Sequence, residues 1–451
     1  MKNKKMVSNT RINKIGEDVA KRGGKITPEE LELLQEFRTS FSKPLVNVFN
    51  IMRGLADTVH QSSIIAFRLK RIDTIINKLS REDGMDLSRM GDIGGIRCIF
   101  YNEAEVYKAK ELIEDAFETG GKTRDYINAI NRDIGYKSVH VYVKDPISQK
   151  RIEIQLRTIE HHNWATLVEI TDLLCNLRLK ELGFESNEKF GRFHALMSSD
   201  KELTKEEADL IYDVLEEHDF ISLLSDTFRK NNAEVKRKWS SEDKNNSFFL
   251  IEASKSQVPN LKSFRTFEEA EHAYFERYKE NSSAEIVLTS IKKPNFKQIS
   301  VAYANYILSY HTFMSDIRPI LQVLAIEALE DRKLEKFEKI FKTYEDLLAN
   351  LILEVLAESA DLFFNKLERG KVIIGRTNKM NKLQEKEVQK KINLKVLEIQ
   401  RSHETFVHEL ELYIPRLFYQ KWRVQKFLIK HNERIRKIML SKQVEFENLI
   451  K

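Results

Sequence analysis

The segment Arg151–Thr158, RIEIQLRT, alternates between apolar and polar side chains, and this two-residue period admits little except a strand with one dry and one polar face. Ile152, Ile154 and Leu156 point one way, whereas Arg151, Glu153, Gln155 and Arg157 point the other. The run at 139–143, VHVYV, has the same period, with Val139, Val141 and Val143 on the core side and His140 and Tyr142 opposite. Residues 144–150 join the two runs, and Asp145-Pro146 supplies turn punctuation, so the pair reads as a hairpin. One face of that hairpin gathers an acid, an amide, guanidinium groups and an imidazole. An ordinary solvated face has the same composition, so the surrounding residues decide the reading.

Upstream, Asp92-Ile93-Gly94-Gly95-Ile96-Arg97 places a carboxylate just before a short apolar strand at 96–101, with two glycines permitting close backbone approach. Within 62–79, Ile72, Ile75, Ile76 and Leu79 fall at helical spacing, and Arg68, Lys70, Arg71 and Lys78 flank the start of that helix, a good setting for phosphates. Gly135-Tyr136-Lys137-Ser138 sets an aromatic ring beside a flexible glycine, suited to stacking on a base. Strands and an amphipathic helix at 103–119 alternate between 93 and 158, so this part is an α/β unit. Phosphoryl-type transfer needs carboxylates for magnesium, basic side chains for phosphates, and a group that orients the acceptor. All three kinds are present.

The stretches FRLKRIDTIINKL at 67–79, DIGGIRCI, RDYINAINRDIGYKSVH, RIEIQLRT and HHNWATLVE follow one another in an order and spacing that resemble the synthetase domain of the RelA/SpoT family, over about 62–174. The resemblance implies a nucleotidyltransferase-like mixed sheet flanked by helices. It also implies a Mg2+-dependent nucleotide pyrophosphokinase that moves the β,γ-pyrophosphate of ATP to the 3′-hydroxyl of GDP or GTP, making (p)ppGpp and releasing AMP. On the matching positions, the resemblance implies that Arg68, Lys70, Lys78 and Arg97 hold the ATP phosphates and that Asp92 and Glu153 hold metal and are catalytic. Tyr136 stacks on the acceptor's guanine, with Arg132, His140, Gln155, Arg157 and His162 completing the acceptor side. Where the family has Asn-Pro-Lys, this chain has Ile130-Asn131-Arg132, which keeps the charge and loses the proline. That departure, and the long C-terminal half, leave open a toxic synthetase of a toxin–antitoxin or antiphage system, acting on tRNA 3′ ends or making adenosine alarmones. A degenerate fold kept as a nucleotide-binding sensor is the third reading, opposed by the intact Asp92 and Glu153.

The chain has 451 residues, 41% apolar and 32% charged, enough for two or three domains. The expected order is an N-terminal helical region at 1–60, the synthetase domain at 61–185, a helical connector at 186–245, a small strand–helix–strand α/β domain at 246–315, and a helical region at 316–451. Net charge is +6, which permits a polyphosphate or nucleic-acid partner without arguing for one. Cys98 and Cys175 are too few for a disulfide framework or zinc cluster, and the basic start lacks the apolar run of a signal peptide. The longest apolar stretch, 347–357, is far shorter than the ~20 residues a bilayer span needs. A cytoplasmic protein with no membrane contact is expected. His161-His162 lacks zinc-ligand company, and His218-Asp219 reads as a helix end rather than a hydrolase dyad. Phe418, Tyr419, Trp422 and Phe427 are expected to pack into a core. The C-terminal half could pack on the synthetase domain, form a homo-oligomer, or bind a regulatory protein.

Overall fold

The computed structural model describes residues 8–81, 84–128, 135–199, 202–225, 238–239, 241–243, 245–254, 257–280, 285–291, 294, 299, 310–352 and 382–450. The 129–134 loop with Arg132 therefore lies outside the described residues. Contacts divide the chain into two units, 1–181 with 230–308 and 182–229 with 309–451.

The first unit is built on one mixed sheet of eight strands, in the order β3-β4-β5-β2-β1-β8-β6-β7. These are β1 (Ile64–Leu69), β2 (Gly94–Phe100), β3 (Arg124–Asp125), β4 (Val139–Lys144), β5 (Arg151–Thr158), β6 (Phe248–Ser254), β7 (Gln257–Phe264) and β8 (Glu285–Ser290). Only β2 with β5 is parallel; the other pairs are antiparallel. The fold is thus α+β. The expected alternation holds in β4 and β5, where Val139, Val141, Val143, Ile152, Ile154 and Leu156 are buried in one core. Helices α1 (Asn9–Lys21), α2 (Pro28–Thr39), α3 (Ser42–Val59), α4 (Ile72–Arg81) and α5 (Glu103–Ala116) contribute to that core. The capping box at Thr27 and Glu30, with Pro28 entering the first turn, starts α2 as its sequence dictates.

Two expectations change. Helix within 62–79 begins only at Ile72, because Ile64–Leu69 is a strand, β1, sandwiched between β2 and β8. A short apolar run carries no period that separates a buried strand from a buried helix. Likewise the strands expected to form a separate small domain at 246–315 extend the same sheet: β8 pairs with β1, and β7, unexpected from sequence, closes the far edge. Thr289 Oγ1 donates to the Ile65 carbonyl at 3.0 Å, and the Leu69 amide donates to the Tyr274 hydroxyl at 2.8 Å. Tyr274 lies on the helix Phe267–Glu280, and its ring meets Phe67 edge-on at 4.9 Å.

The second unit is helical among its described residues, with Phe190, Phe193 and Phe220 in mutual ring contact and Phe313 against Phe220. Elsewhere Phe337, Phe341, Tyr344 and Phe406 build a core against the C-terminal helix Phe418–Ile450. The core expectation for the aromatic run fails for three of its four rings. Phe427 is half-buried against Phe337 and Phe341, but Phe418, Tyr419 and Trp422 are exposed. The reason is helical phase: Val424, Leu428, Ile435 and Met439 supply the inward face, and the other three rings project away from it. No described helix is long and apolar enough to cross a membrane.

Because Leu288 is fully buried opposite Phe67 at the β1–β8 seam, Leu288→Ala is expected to cost about 2–5 kcal/mol. Urea denaturation would show a lower midpoint at unchanged slope. A loss below about 1 kcal/mol would mean that β8 is not integral to the sheet.

Candidate active site

Residues on the sheet face opposite the main core line up in rows across the strands. One row runs Arg68, Gly95, Glu153, Tyr142 through β1, β2, β5 and β4. The adjacent row runs Ala66, Arg97, Gln155, His140, Arg124. The parallel β2–β5 pairing is what sets the basic residues of β1 and β2 beside the acid of β5. In the middle stands Gly95. A Cβ there would meet nothing nearer than the Arg68 carbonyl at 4.0 Å, so the row has an open floor between Arg68 and Glu153. Its neighbour Gly94 has a different cause: a Cβ would strike Ile152 Cδ1 at 2.8 Å, so the core side needs the glycine for packing.

Glu153 is 7% exposed and fully engaged. His140 Nδ1 and the Tyr142 hydroxyl each reach Oε1 at 3.0 Å, and Gln155 Nε2 donates to Oε2 at 2.9 Å. Burial alone would raise this carboxyl, but His140, then Gln155 and Tyr142, hold it well below the usual carboxylate range. It is ionised throughout the physiological range. The chain of contacts continues: His140 Nε2 lies 2.8 Å from the Tyr136 hydroxyl, which also accepts from Arg157 Nη2. Burial would raise the Tyr136 phenol, yet Arg157 and His140 outweigh it and bring it down to about 7. Burial would lower His140, but negative charge at Tyr136 and the bond to Glu153 raise it on balance.

Asp92, in the turn before β2, is held by Lys70 at 2.8 Å and Lys78 at 3.3 Å. Lys70 is pushed below its ordinary value, chiefly by burial, with Asp92 opposing. The Tyr142 phenol is pushed well up by burial and then by Glu153, with Asp92 also contributing, so both carboxylates act on one ring. The structure therefore joins Glu153, His140, Gln155, Arg157 and Tyr136 in one bonded network, and Asp92, Lys70 and Lys78 in another. Arg68 shares the row of Gly95 and Glu153, and Arg97 the adjacent row of Gln155 and His140. His162 is buried on α6 (Ile159–Leu174), and neighbouring His161 pairs with Glu103 at 3.3 Å rather than sitting among metal-ligand types. Arg132 is outside the described residues.

Four contributors escaped the residue-by-residue sequence reading. Tyr126 and Trp164 pack edge-on to Tyr136, at 5.7 and 6.2 Å. Arg124 pairs in register with His140. Glu169 on α6 meets Lys180, and although burial would raise its carboxyl, Lys180, Arg97 and Arg68 bring it down to about 2. All four lie inside the quoted stretches. Their signal was position within a motif, not residue pattern. Among the described residues, no group of three or more His, Cys, Asp and Glu is placed to hold a metal ion. Asp92 and Glu153 nevertheless suit Mg2+, which is commonly held by one or two carboxylate oxygens together with substrate phosphates.

Comparison with known proteins agrees with the resemblance. Residues 67–170 match the family described as a region found in RelA / SpoT proteins. A probable chloroplastic GTP diphosphokinase, RSH3, of Oryza sativa subsp. japonica is 28% identical over 141 residues, 30% of this chain and 20% of that protein. An uncharacterized protein of Mycobacterium tuberculosis is 30% identical over 112 residues, 24% of this chain and 38% of that protein. The chain thus spans from a fifth to under two fifths of the length of the curated relatives it matches. Among solved structures, the small alarmone synthetase 1 from Bacillus subtilis bound to its product pppGpp aligns with TM-score 0.30 and 22% identity, covering 33% of this chain and 85% of that chain. A GTP pyrophosphokinase family protein from Streptococcus pneumoniae aligns with TM-score 0.30 and 21% identity, covering 43% and 98%.

Two outcomes test this geometry. Gly95→Ala should leave stability within about 1 kcal/mol while impairing nucleotide binding, whereas Gly94→Ala should cost about 1–3 kcal/mol through overpacking; calorimetry of both variants separates the cases. Phenolate absorbance near ~295 nm, compared with Tyr136→Phe, should titrate with a midpoint of about 7. The signs are opposed. Lowered below its ordinary value near ~10, Tyr136 contributes stability in full above that value and loses it as pH falls through about 7. Raised His140 contributes fully below about 6.5, and that contribution is lost as pH rises through its folded value.

Proposed function

We propose that the chain is a nucleotide pyrophosphokinase transferring the β,γ-pyrophosphate of ATP to the 3′-hydroxyl of GDP or GTP. The observation that carries this reading is the open floor at Gly95, with Arg68 to one side, Glu153 to the other and Arg97 two residues along the same strand, inside the RelA/SpoT region. Polyphosphate charge would be met by Arg68, Arg97, Lys70 and Lys78, the last two of which pair with Asp92 in this structure. Mg2+ held by Asp92 and Glu153 would supply charge neutralisation on the transferring group. The acceptor oxygen bonds to the β-phosphorus, the bond from that phosphorus to the α,β-bridging oxygen breaks, and AMP leaves. The hydroxyl proton passes to the Glu153 carboxylate, which His140, Tyr142 and Gln155 hold in place. Tyr136, framed by Tyr126 and Trp164, offers a ring for the acceptor base.

A second reading, with a tRNA 3′ end or an adenosine nucleotide as acceptor, is favoured by Ile130-Asn131-Arg132 standing where the family has Asn-Pro-Lys. Mass spectrometry of products formed from ATP with GDP, AMP and tRNA offered together separates these acceptors. On the main reading, guanosine 3′-diphosphate products appear and kcat falls by about 10²–10⁴-fold in Glu153→Gln. Turnover of none of the acceptors by wild-type protein with Mg2+ would sink the enzymatic reading and leave nucleotide binding alone.

A further inference from the structure

We propose that the C-terminal helix Phe418–Ile450 is a docking surface for single-stranded nucleic acid, with bases stacked on Phe418, Tyr419 and Trp422 and phosphates on the basic residues that follow. The first observation is charge. Residues 416–442 hold nine Lys and Arg against one acidic residue, whereas the whole chain holds 75 against 69. The preceding helix, Lys382–Leu412, holds six of each sign. The positive surplus of the protein is thus concentrated on this one element.

The second observation is where those groups face. Val424, Leu428, His431, Ile435 and Met439 are buried, and Arg423 and Arg434 are turned to Glu338 and Glu345. Lys421, Lys426, Lys430, Arg436 and Lys437 remain on the exposed side, along ~24 Å of helix. The third is the exposure of three adjacent aromatic side chains, 85% for Phe418, 67% for Tyr419 and 48% for Trp422. Lys426 Nζ sits 4.8 Å from the Trp422 ring centre, so cation and π-face already alternate. Exposed rings interleaved with cations, followed by a basic track, match the chemistry of a single strand: flat bases to stack and phosphates to neutralise.

Other occupants fit less well. The centre of a protein–protein interface is depleted of charge, yet here Arg416, Lys421 and Lys426 lie among the three rings. A bilayer surface calls for a continuous apolar stripe. Phe418, Trp422, Ile429 and Leu440 do fall within roughly 40° of arc, but Arg436 shares that arc and interrupts it, and Glu433 stands about 20° beyond its edge.

The test uses the full-length protein and a fluorescein-labelled mixed-sequence 20-nucleotide single strand, followed by anisotropy. Binding is expected to weaken with salt at a log–log slope of about −2 to −4, the range for three to five phosphate contacts. Phe418→Ala with Trp422→Ala should weaken it by at least about tenfold. Lys426→Glu, Lys430→Glu and Lys437→Glu together should abolish it and flatten the slope, while the same three as arginine retain it. Glu153→Gln should bind like wild type, which keeps this result separate from the fate of the pyrophosphate-transfer reading. Circular dichroism checks that helix content is unchanged. The proposal is overturned if wild type does not bind the oligonucleotide, if both variant sets bind equally to it, or if only vesicles containing phosphatidylserine are bound.

Discussion

A pleated strand cannot present two consecutive side chains to the same face, and in β5 that rule separates a dry core from a charged hollow at single-residue spacing. Ile152, Ile154 and Leu156 lie among the aliphatic side chains of β4 and β2, which fixes register. Once register is fixed, Glu153, Gln155 and Arg157 have no choice of partners: Gly95 and Arg97 stand on one side, Tyr142 and His140 on the other. A one-residue slip would bury Glu153 among valines. Core packing and site assembly are therefore one constraint.

The site's electrostatics follow from the same placement. A buried carboxylate is stable only where donors replace the water it lost, and Glu153 receives three of them. His140 serves two neighbours at once, so the charge states of Glu153, His140 and Tyr136 are linked through its two ring nitrogens. Asp92 is arranged differently. Its partners are lysines on flexible stems, which can exchange a carboxylate for a phosphate without rearranging the backbone.

Legibility in the sequence tracked how local each signal was. The β4–β5 hairpin and its polar face could be read because alternation is complete within each strand and the turn lies between them. Tyr136, His140, Glu153, Gln155 and Arg157 followed from that face and from motif order. β1 was hidden because IIAFRL carries no diagnostic period, and β7 because QVPNLKSF contains a proline and mixed polarity typical of an edge. Most opaque was the joining of β8 to β1. Ile65 and Thr289 are bonded across a sequence separation of 224, and no local pattern encodes which distant strand will add to an edge. The exposed rings at 418–422 were misassigned for a related reason: helical spacing shows that a face exists, and only the partner helices show which face is covered.

The chain order of the two units has a consequence for synthesis. Residues 182–229 belong with 309–451, yet they emerge from the ribosome before 230–308, which carry the last three strands of the sheet. The β1 edge, with the Ile65 and Phe67 backbone, must therefore wait for its partner while more than 200 further residues are made. At typical translation rates of about 5–20 residues per second, that interval lasts roughly 10–40 seconds. Throughout it a partly formed sheet with an unpaired inner strand is vulnerable to pairing with a neighbouring nascent chain. The same interleaving means that no single cut of the polypeptide can release either unit whole.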